Sequence, residues 1–402
     1  RRPLAAFSGG WRMRAALAAV LFSGPDLLLL DEPTNYLDLE GALWLEQFLE
    51  DYPGTFLLVS HDRDMLNKAV GAILHLEAGK LALYPGGYDD FERQRRERLS
   101  LQEKSRKRQE AERAHIQAFV DRFRAKASKA RQAQSRLKAL ARMEPIAAVV
   151  EDRTTPFRFP SPEGLPPPLA ALDRVSVGYE PGRPVLRDLT LRVDMDDRIA
   201  LLGQNGNGKS TFAKLLAGRL APMAGRFEMS PKARIGFFAQ HQLDELVPAD
   251  SAYRHLAARM GGAAEHQVRA RLGAFGFGVE KADVPAESLS GGEKSRLLFA
   301  LMSLDAPHLM ILDEPTNHLD VDSREALVRA INEYEGAVLL VSHDRHLLEA
   351  CVDRLWIVEG GAVRPFEGDL EDYRRALLES RGGGRREEAK TPKSSAKDER
   401  RA

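Results

Sequence analysis

The run Gly203-Gln204-Asn205-Gly206-Asn207-Gly208-Lys209-Ser210 carries the clearest chemistry in this 402-residue chain. It matches G-x-x-x-x-G-K-[ST], a spacing in which glycines let backbone N–H groups wrap phosphate oxygens. Lys209 is placed to reach the β- and γ-phosphates of a nucleotide and Ser210 to ligate Mg²⁺. The flanks suit that role. Arg198 to Leu202 (RIALL) reads as a buried strand entering the glycines, and Thr211 to Ala217 (TFAKLLA) as a helix leaving them, with its N-terminus toward the anion. Further on, Leu309-Met310-Ile311-Leu312 is an apolar strand ending in Asp313-Glu314. There Asp313 is suited to the Mg²⁺ shell and Glu314 to polarising an attacking water. An isolated carboxylate pair before Pro315-Thr316 could equally be a helix cap.

A repeat argues against the capping reading. Asp31-Glu32-Pro33-Thr34-Asn35 recurs as Asp313-Glu314-Pro315-Thr316-Asn317, and Leu37-Asp38 as Leu319-Asp320. Ser8-Gly9-Gly10 recurs as Ser290-Gly291-Gly292, and Ser60-His61-Asp62-Arg63 as Ser342-His343-Asp344-Arg345. Every pair keeps one offset of 282 residues (Asp313 against Asp31, His343 against His61). The chain therefore holds two copies of one domain. The partner of Gly203 at that offset falls before residue 1, so the first copy reads as the rear part of its domain and the chain as a fragment lacking an N-terminal portion.

Ser290-Gly291-Gly292-Glu293 resembles the signature of ABC ATP-binding cassettes. The resemblance implies an α/β P-loop fold in two cassettes, one partial and one complete, with ATP and Mg²⁺ as ligands. In such proteins the signature caps the γ-phosphate held by the opposite cassette. Ser8, Gly9 and Gly10 are then expected to complete the site at Gly203–Ser210. Ser290, Gly291 and Gly292, with Glu32 and His61, belong to a reciprocal site that lacks its phosphate loop. His343 resembles the switch histidine, Gln240 (in Phe237-Phe238-Ala239-Gln240) the glutamine near Mg²⁺ and water, and Tyr179 the aromatic that stacks on adenine. Tyr179 also fits a plain core aromatic at a strand end.

The motif wording, Ser8-Gly9-Gly10-Trp11-Arg12-Met13-Arg14 and Asp-Glu-Pro-Thr-Asn twice, resembles the ABC-F family, and so does the segment between the copies. Tyr88 to Met143 contains neither Pro nor Gly. From Glu92 to Arg142 it carries 17 Lys or Arg against 6 Asp or Glu. Ile116, Phe119, Val120, Phe123, Ala127, Ala130, Leu137 and Leu140 keep roughly helical spacing. The pattern predicts two long helices folded as a hairpin whose tip holds Arg124, Lys126, Lys129 and Arg131. Residues 127–136 most resemble the YheS-like branch. The family likeness implies a linker that reaches ribosomal RNA and transfer RNA, a cytoplasmic setting, and cassettes that pair within one monomer. A basic hairpin is also compatible with a solvated spacer.

The expected organisation is a partial first cassette over 1–86, the basic linker over 87–150, an extended Pro-rich connection over 151–168, a complete cassette over 169–380 and a disordered charged tail over 381–402. Lys plus Arg equals Asp plus Glu at 59 each, so the basic linker is offset elsewhere in the chain. The lone cysteine, Cys351, has no partner for an internal disulfide. No run approaches the roughly 20 apolar residues of a membrane-spanning helix. Two other readings stay open at this level: the ATPase subunit of a transporter, and a DNA-associated ATPase of the Uup-like kind. The basic linker is unexplained by the first and compatible with the second.

Overall fold

The computed structural model describes residues 9–77, 79–123, 157–317 and 319–387. The chain divides into two compact units, 1–62 with 154–402, and 63–153.

The larger unit is built on parallel strands that read as apolar runs, because both faces of such a sheet are covered. The second copy holds β5 (Ala170–Val177), β6 (Leu186–Val193), β7 (Arg198–Leu202), β8 (Ala224–Met229), β9 (Ile235–Ala239), β10 (Leu309–Asp313), β11 (Ala337–Val341), β12 (Arg354–Glu359) and β13 (Ala362–Phe366), of which β7, β9, β10, β11 and β12 are the parallel ones. One six-stranded sheet runs β13-β12-β7-β11-β10-β9, with only β13 antiparallel to its neighbour. A three-stranded antiparallel sheet, β6-β5-β8, lies in the same unit. The first copy contributes α1 (Gly9–Phe22), β1 (Leu27–Asp31), α2 (Leu39–Glu50) and β2 (Thr55–Val59). The register of β1 on β2, Leu27↔Thr55 through Asp31↔Val59, equals that of β10 on β11, Leu309↔Ala337 through Asp313↔Val341, at the repeat offset.

The helices used below are α5 (Lys209–Leu216), α6 (Ala252–Arg259), α7 (Glu265–Gly273), α8 (Val279–Ala282), α9 (Gly291–Met302), α10 (Val321–Asn332), α11 (Arg345–Cys351) and α12 (Leu370–Glu387). α12 anchors through buried Leu370 and Tyr373. It then continues past residue 380, so residues 381–387 are helical rather than part of a disordered tail. Extending an anchored helix avoids the cost of nucleating one. Residues 388–402 lie outside the described residues.

The Pro-rich connection is packed where it is described. Phe157 and Phe159 are buried, and the Phe157 ring stacks on Phe275 at 5.5 Å and on Phe299 at 5.8 Å. The second cassette's core therefore begins at Phe157, ahead of residue 169. The aromatics join it while the prolines keep the backbone extended.

The smaller unit holds α3 (Arg63–Lys68), the antiparallel pair β3 (Ala72–Glu77) and β4 (Lys80–Pro85), and α4 (Tyr88–Phe123). Residues 63–86 thus group with the linker helix rather than with 1–62. The physical tie is aromatic: Phe91 of α4 meets Tyr84 at 5.1 Å and His75 at 5.0 Å. α4 has 36 residues, or about 54 Å at 1.5 Å per residue. Its first turn carries Asp89 and Asp90, which suit the positive end of a helix. Tyr88 to Phe123 holds 10 Lys or Arg against 8 Asp or Glu, so the basic excess of the linker falls beyond Phe123. The expected second helix and the tip residues Arg124, Lys126, Lys129 and Arg131 lie outside the described residues.

Phe157→Ala removes a ring from a buried three-aromatic stack, so it should destabilise the larger unit by about 3–5 kcal/mol. Chemical denaturation followed by tryptophan fluorescence measures this, and a loss under about 1 kcal/mol would mean the connection is not part of the core.

Candidate functional site

The phosphate loop hangs between β7 and α5. Gly203 has φ 137°, and a Cβ there would lie 2.4 Å from the Val358 carbonyl oxygen, so only glycine fits. Asn207 Nδ2 donates to that same carbonyl at 3.2 Å and ties the loop to β12. Gly208, at φ 108°, is the N-cap of α5. Lys209 is buried and curls back under the loop, its Nζ donating to Gly203 O at 2.6 Å and to Asn205 Oδ1 at 3.3 Å. Burial lowers its pKa, opposed by the charges of Glu314, Asp38 and Asp313. Ser210 is exposed at the start of the helix, Thr211 is buried beside it, and Gly206 sits in the open loop.

β10 ends at Asp313, paired with Ala239 of β9, so the backbone of Gln240 follows directly at the neighbouring strand end. The next residue, Glu314, takes the left-handed conformation at φ 54°, and its N–H donates to Val341 O at 2.7 Å. Glu32 repeats this in the first copy, with φ 44° and a bond to Val59 O at 2.8 Å. A non-glycine residue held there twice stores backbone strain at one position of the repeat. Burial, reinforced by Asp313, pushes the Glu314 carboxyl up to about 8. Its Oε1 is buried 3.3 Å from His343 Nε2 but out of line for a hydrogen bond. His61 Nε2 lies 3.5 Å from Glu32 Oε1 in the matching place.

The first copy closes over this site. Asp38 is the N-cap of α2; its Oδ1 accepts from Gly41 N at 3.0 Å. Its Oδ2 meets Arg14 Nη2 of α1 at 2.9 Å and accepts from Asn205 N of the phosphate loop at 3.4 Å. Burial acts to raise the Asp38 pKa, but Arg14 and the two N–H donors outweigh it and hold the carboxyl below its usual range. Glu40 accepts from Gln204 Nε2 at 3.2 Å. Leu39 buries its side chain in the core of the second cassette, and its N–H donates to His343 Nδ1 at 3.2 Å. An accepting Nδ1 leaves the proton on Nε2, the nitrogen nearest Glu314. Burial, with Lys209 nearby, pushes His343 down to about 3, so the ring is neutral.

The structure thus brings Gly203–Thr211, Asp313, Glu314, His343 and the backbone of Gln240 together with the first copy. Gly9 and Gly10 open α1, the helix that carries Arg14 to Asp38; Ser8 lies outside the described residues. Tyr179 stands beside α5: its hydroxyl accepts from Thr211 Oγ1 at 3.3 Å, Lys214 Nζ lies 5.5 Å from the ring centre, and the ring is 57% exposed. That is an available aromatic face rather than a core ring. Ser290 caps α9 in a reciprocal box with Glu293, and with Gly291 it is exposed. Sequence reading gave no role to Asp38, Arg14, Leu39, Glu40 or Arg324. The recurrence of Leu37-Asp38 marked the place without revealing its partners.

Mg²⁺ and nucleotide phosphates fit these residues. The donors are hard oxygens, from the Ser210 hydroxyl and the Asp313 carboxylate, which suit Mg²⁺. Glu314 Oε1, next in sequence to Asp313, is a buried acceptor without a hydrogen-bond partner. Among the described residues no group of three acidic, His or Cys side chains could hold a metal. An ion here would therefore share its shell with phosphates.

A glycine loop between β7 and α5, a strand-end Asp-Glu, a histidine facing it and a second copy of the same motifs define an ABC-type ATP-binding cassette pair. The ABC transporter family model matches residues 1–35 and 186–317, and an ABC transporter extension model matches 74–159. The probable ATP-binding protein YheS of Escherichia coli K12 is 49% identical over 376 residues, 94% of this chain and 59% of the relative. Human ATP-binding cassette sub-family F member 3 is 44% identical over 380 residues, 94% of this chain and 54% of that protein. An archaeal ABCE1, described as a ribosome recycling factor and solved with the ribosomal stalk protein aP1, matches at TM-score 0.59 and 22% identity. That match covers 94% of this chain and 67% of the other and speaks for the fold alone. The chain belongs to the ABC-F family and is YheS-like; it spans 59% of the length of YheS. No helix among the described residues is long and apolar enough to cross a membrane.

The trans hydrogen bond to His343 makes a specific forecast. Leu39 is the first residue of α2, where proline is well accepted, and Asp38 before it is already extended at ψ 170°. Leu39→Pro should delete the donor and keep the helix, whereas Leu39→Ala trims the buried side chain and keeps the N–H. Nitrogen-15 shifts of His343 should report the Nε2–H tautomer in the wild type and in Leu39→Ala, and a mixture in Leu39→Pro. Identical shifts in all three would show that the first copy does not set the tautomer.

Proposed function

We propose that this chain is the greater part of an ATP-hydrolysing ABC-F protein that acts on the ribosome, with ATP sandwiched between the phosphate loop of the second cassette and the first copy. The observation that carries the ATP reading is the contact of Asp38 and Leu39 with Asn205 and His343 across the two copies. When bound, Mg²⁺ held by Ser210 and Asp313 offsets charge on the β- and γ-phosphates. Lys209 and the loop N–H groups of 205–210 fix the phosphates in line for attack. Glu314, in its carboxylate form, draws the proton from a water as the water oxygen bonds to the γ-phosphorus and the bond to ADP breaks. His343, neutral and held by Leu39, presents Nε2–H toward the same space, and Gln240 completes the shell. The N-terminus of α1 at Gly9 and Gly10, with Ser8, caps the γ-phosphate from the opposite side. Tyr179 offers its open face to adenine.

The ribosomal part rests on the linker. Residues 124–142 contain seven Lys or Arg and no Asp or Glu, including Arg124, Lys126, Lys129 and Arg131. Small residues between them suit a narrow RNA-lined space, and phosphate contacts of this kind make affinity steeply salt-dependent. They carry little base specificity, so shape and position select the target. Membership of the ABC-F family fits that reading, which implies a cytoplasmic setting. A transporter subunit leaves the basic segment unexplained.

Glu314→Gln should bind ATP and slow its hydrolysis by roughly 10²- to 10⁴-fold, the scale for losing a general base; wild-type turnover in this variant would make the carboxylate structural. In that ATP-trapped background, the triple change Lys126→Glu, Lys129→Glu and Arg131→Glu should abolish pelleting with ribosomes across a salt series. Retention like the parent would return weight to the transporter and DNA-associated readings.

A further inference from the structure

The two copies differ at the fourth residue of the helix that follows the Leu-Asp pair: Ala42 in α2 and Arg324 in α10. Arg324 is the more consequential for what surrounds it. Its Nε donates to Leu319 O at 3.2 Å, and its Nη1 lies 3.0 Å from Asp344 Oδ2 and donates to His61 O of the first copy at 3.2 Å. The side chains of the pair are 15% and 11% exposed, so water competes little for them. Asp344 follows the switch histidine directly and is fixed on its own side. Its N–H donates to Ser342 Oγ at 3.1 Å, and its Oδ1 caps α11 by accepting from Leu347 N at 3.0 Å. The first copy builds the same turn, with Asp62 N–H donating to Ser60 Oγ at 3.0 Å, but places a methyl group where the guanidinium would stand.

We propose that Arg324 is a one-sided latch, a positioning residue that joins the His61 backbone of the first cassette to the Asp344 turn that carries His343 in the second. A planar guanidinium can serve several acceptors on two loops at once, which a single ammonium cannot. The latch works in one direction only, because Ala42 offers nothing to the second cassette at the matching point. Parting of the first cassette removes the His61 carbonyl from Arg324 and loosens the Asp344 turn; Ala42 supplies no guanidinium at the matching position. His343 is thereby coupled to closure through Arg324 and the Asp344 turn.

The catalytic consequence rests on the ATP reading above; the mechanical link does not. The test uses the 402-residue chain with spin labels at Gln47→Cys and Val279→Cys, two exposed sites on the first and second cassettes. Cys351 is buried with its thiol pushed up to about 12 and stays unlabelled. Without nucleotide, the parent should give a narrow distance distribution, and Arg324→Ala and Arg324→Lys a broader and longer one. Arg324→Lys keeps a charge beside Asp344, so a merely stabilising ion pair predicts parental distances for it, and parental distances in both variants overturn the latch. Arg324→Lys should also keep its unfolding midpoint, so it carries the test if Arg324→Ala folds poorly. ATP turnover, measured alongside without the labels, should fall roughly threefold or more in Arg324→Lys with ADP affinity unchanged. Asp344→Asn, which keeps the cap, should remove any further effect of Arg324→Lys. Broadened distances with wild-type turnover would overturn the link to His343. A wild type that hydrolyses no ATP would overturn the ATP reading and leave the distance result to judge the latch.

Discussion

An α-helix leaves the N–H groups of its first turn without partners inside the helix. In α2 two of them are engaged in ways that organise the site: Gly41 N–H by the Asp38 cap and Leu39 N–H by His343 of the other copy. The Asp38 carboxylate, drawn toward Arg14 on one side, takes the Asn205 N–H of the phosphate loop on the other. One helix terminus therefore touches the phosphate loop and His343 together. Leu39 adds the apolar part by burying its side chain in the second cassette's core.

The scaffold tolerates strain to present the acid. Glu314 and Glu32 both sit at positive φ, each with its N–H tied to the neighbouring strand at Val341 and Val59. The parallel pairing of β10 with β11, and of β1 with β2, supplies that carbonyl at the right height, and the registers are the same in both copies. Such a conformation costs on the order of 1–3 kcal/mol and persists only where its surroundings over-determine it. Here two independent copies of the sequence impose it, which ties the strain to the site rather than to one local accident of packing.

The fold-level signals were legible in the sequence. The glycines at 203, 206 and 208 declare a phosphate loop by spacing, the repeat fixes two cassettes by arithmetic, and the start of α4 follows from Gly87 standing at the head of a stretch free of Pro and Gly. Relations through space were not. Asp38 and Leu39 lie more than 160 and 300 residues from their partners Asn205 and His343, and nothing in the spacing states which loop they meet. Phe157 and Phe159 looked like part of a proline-rich connection because burial of a short aromatic pair leaves no periodic trace. The helix past residue 380 was hidden by composition, since Arg, Glu and Gly there suit a solvated tail until an anchored turn precedes them. The difference between Ala42 and Arg324 was visible in the repeat, but its meaning depends on a carbonyl supplied by the other copy.

Hydrogen exchange of the Leu39–Ala42 amides in the 402-residue chain, with and without Mg-ATP, tests the composite site most directly. Nucleotide held by the loop at Gly203–Ser210 should slow exchange at these amides of the first copy, and Lys209→Ala should remove that effect. Slowing confined to residues 203–216 and 309–314, with 39–42 unchanged, would contradict a site built from both copies.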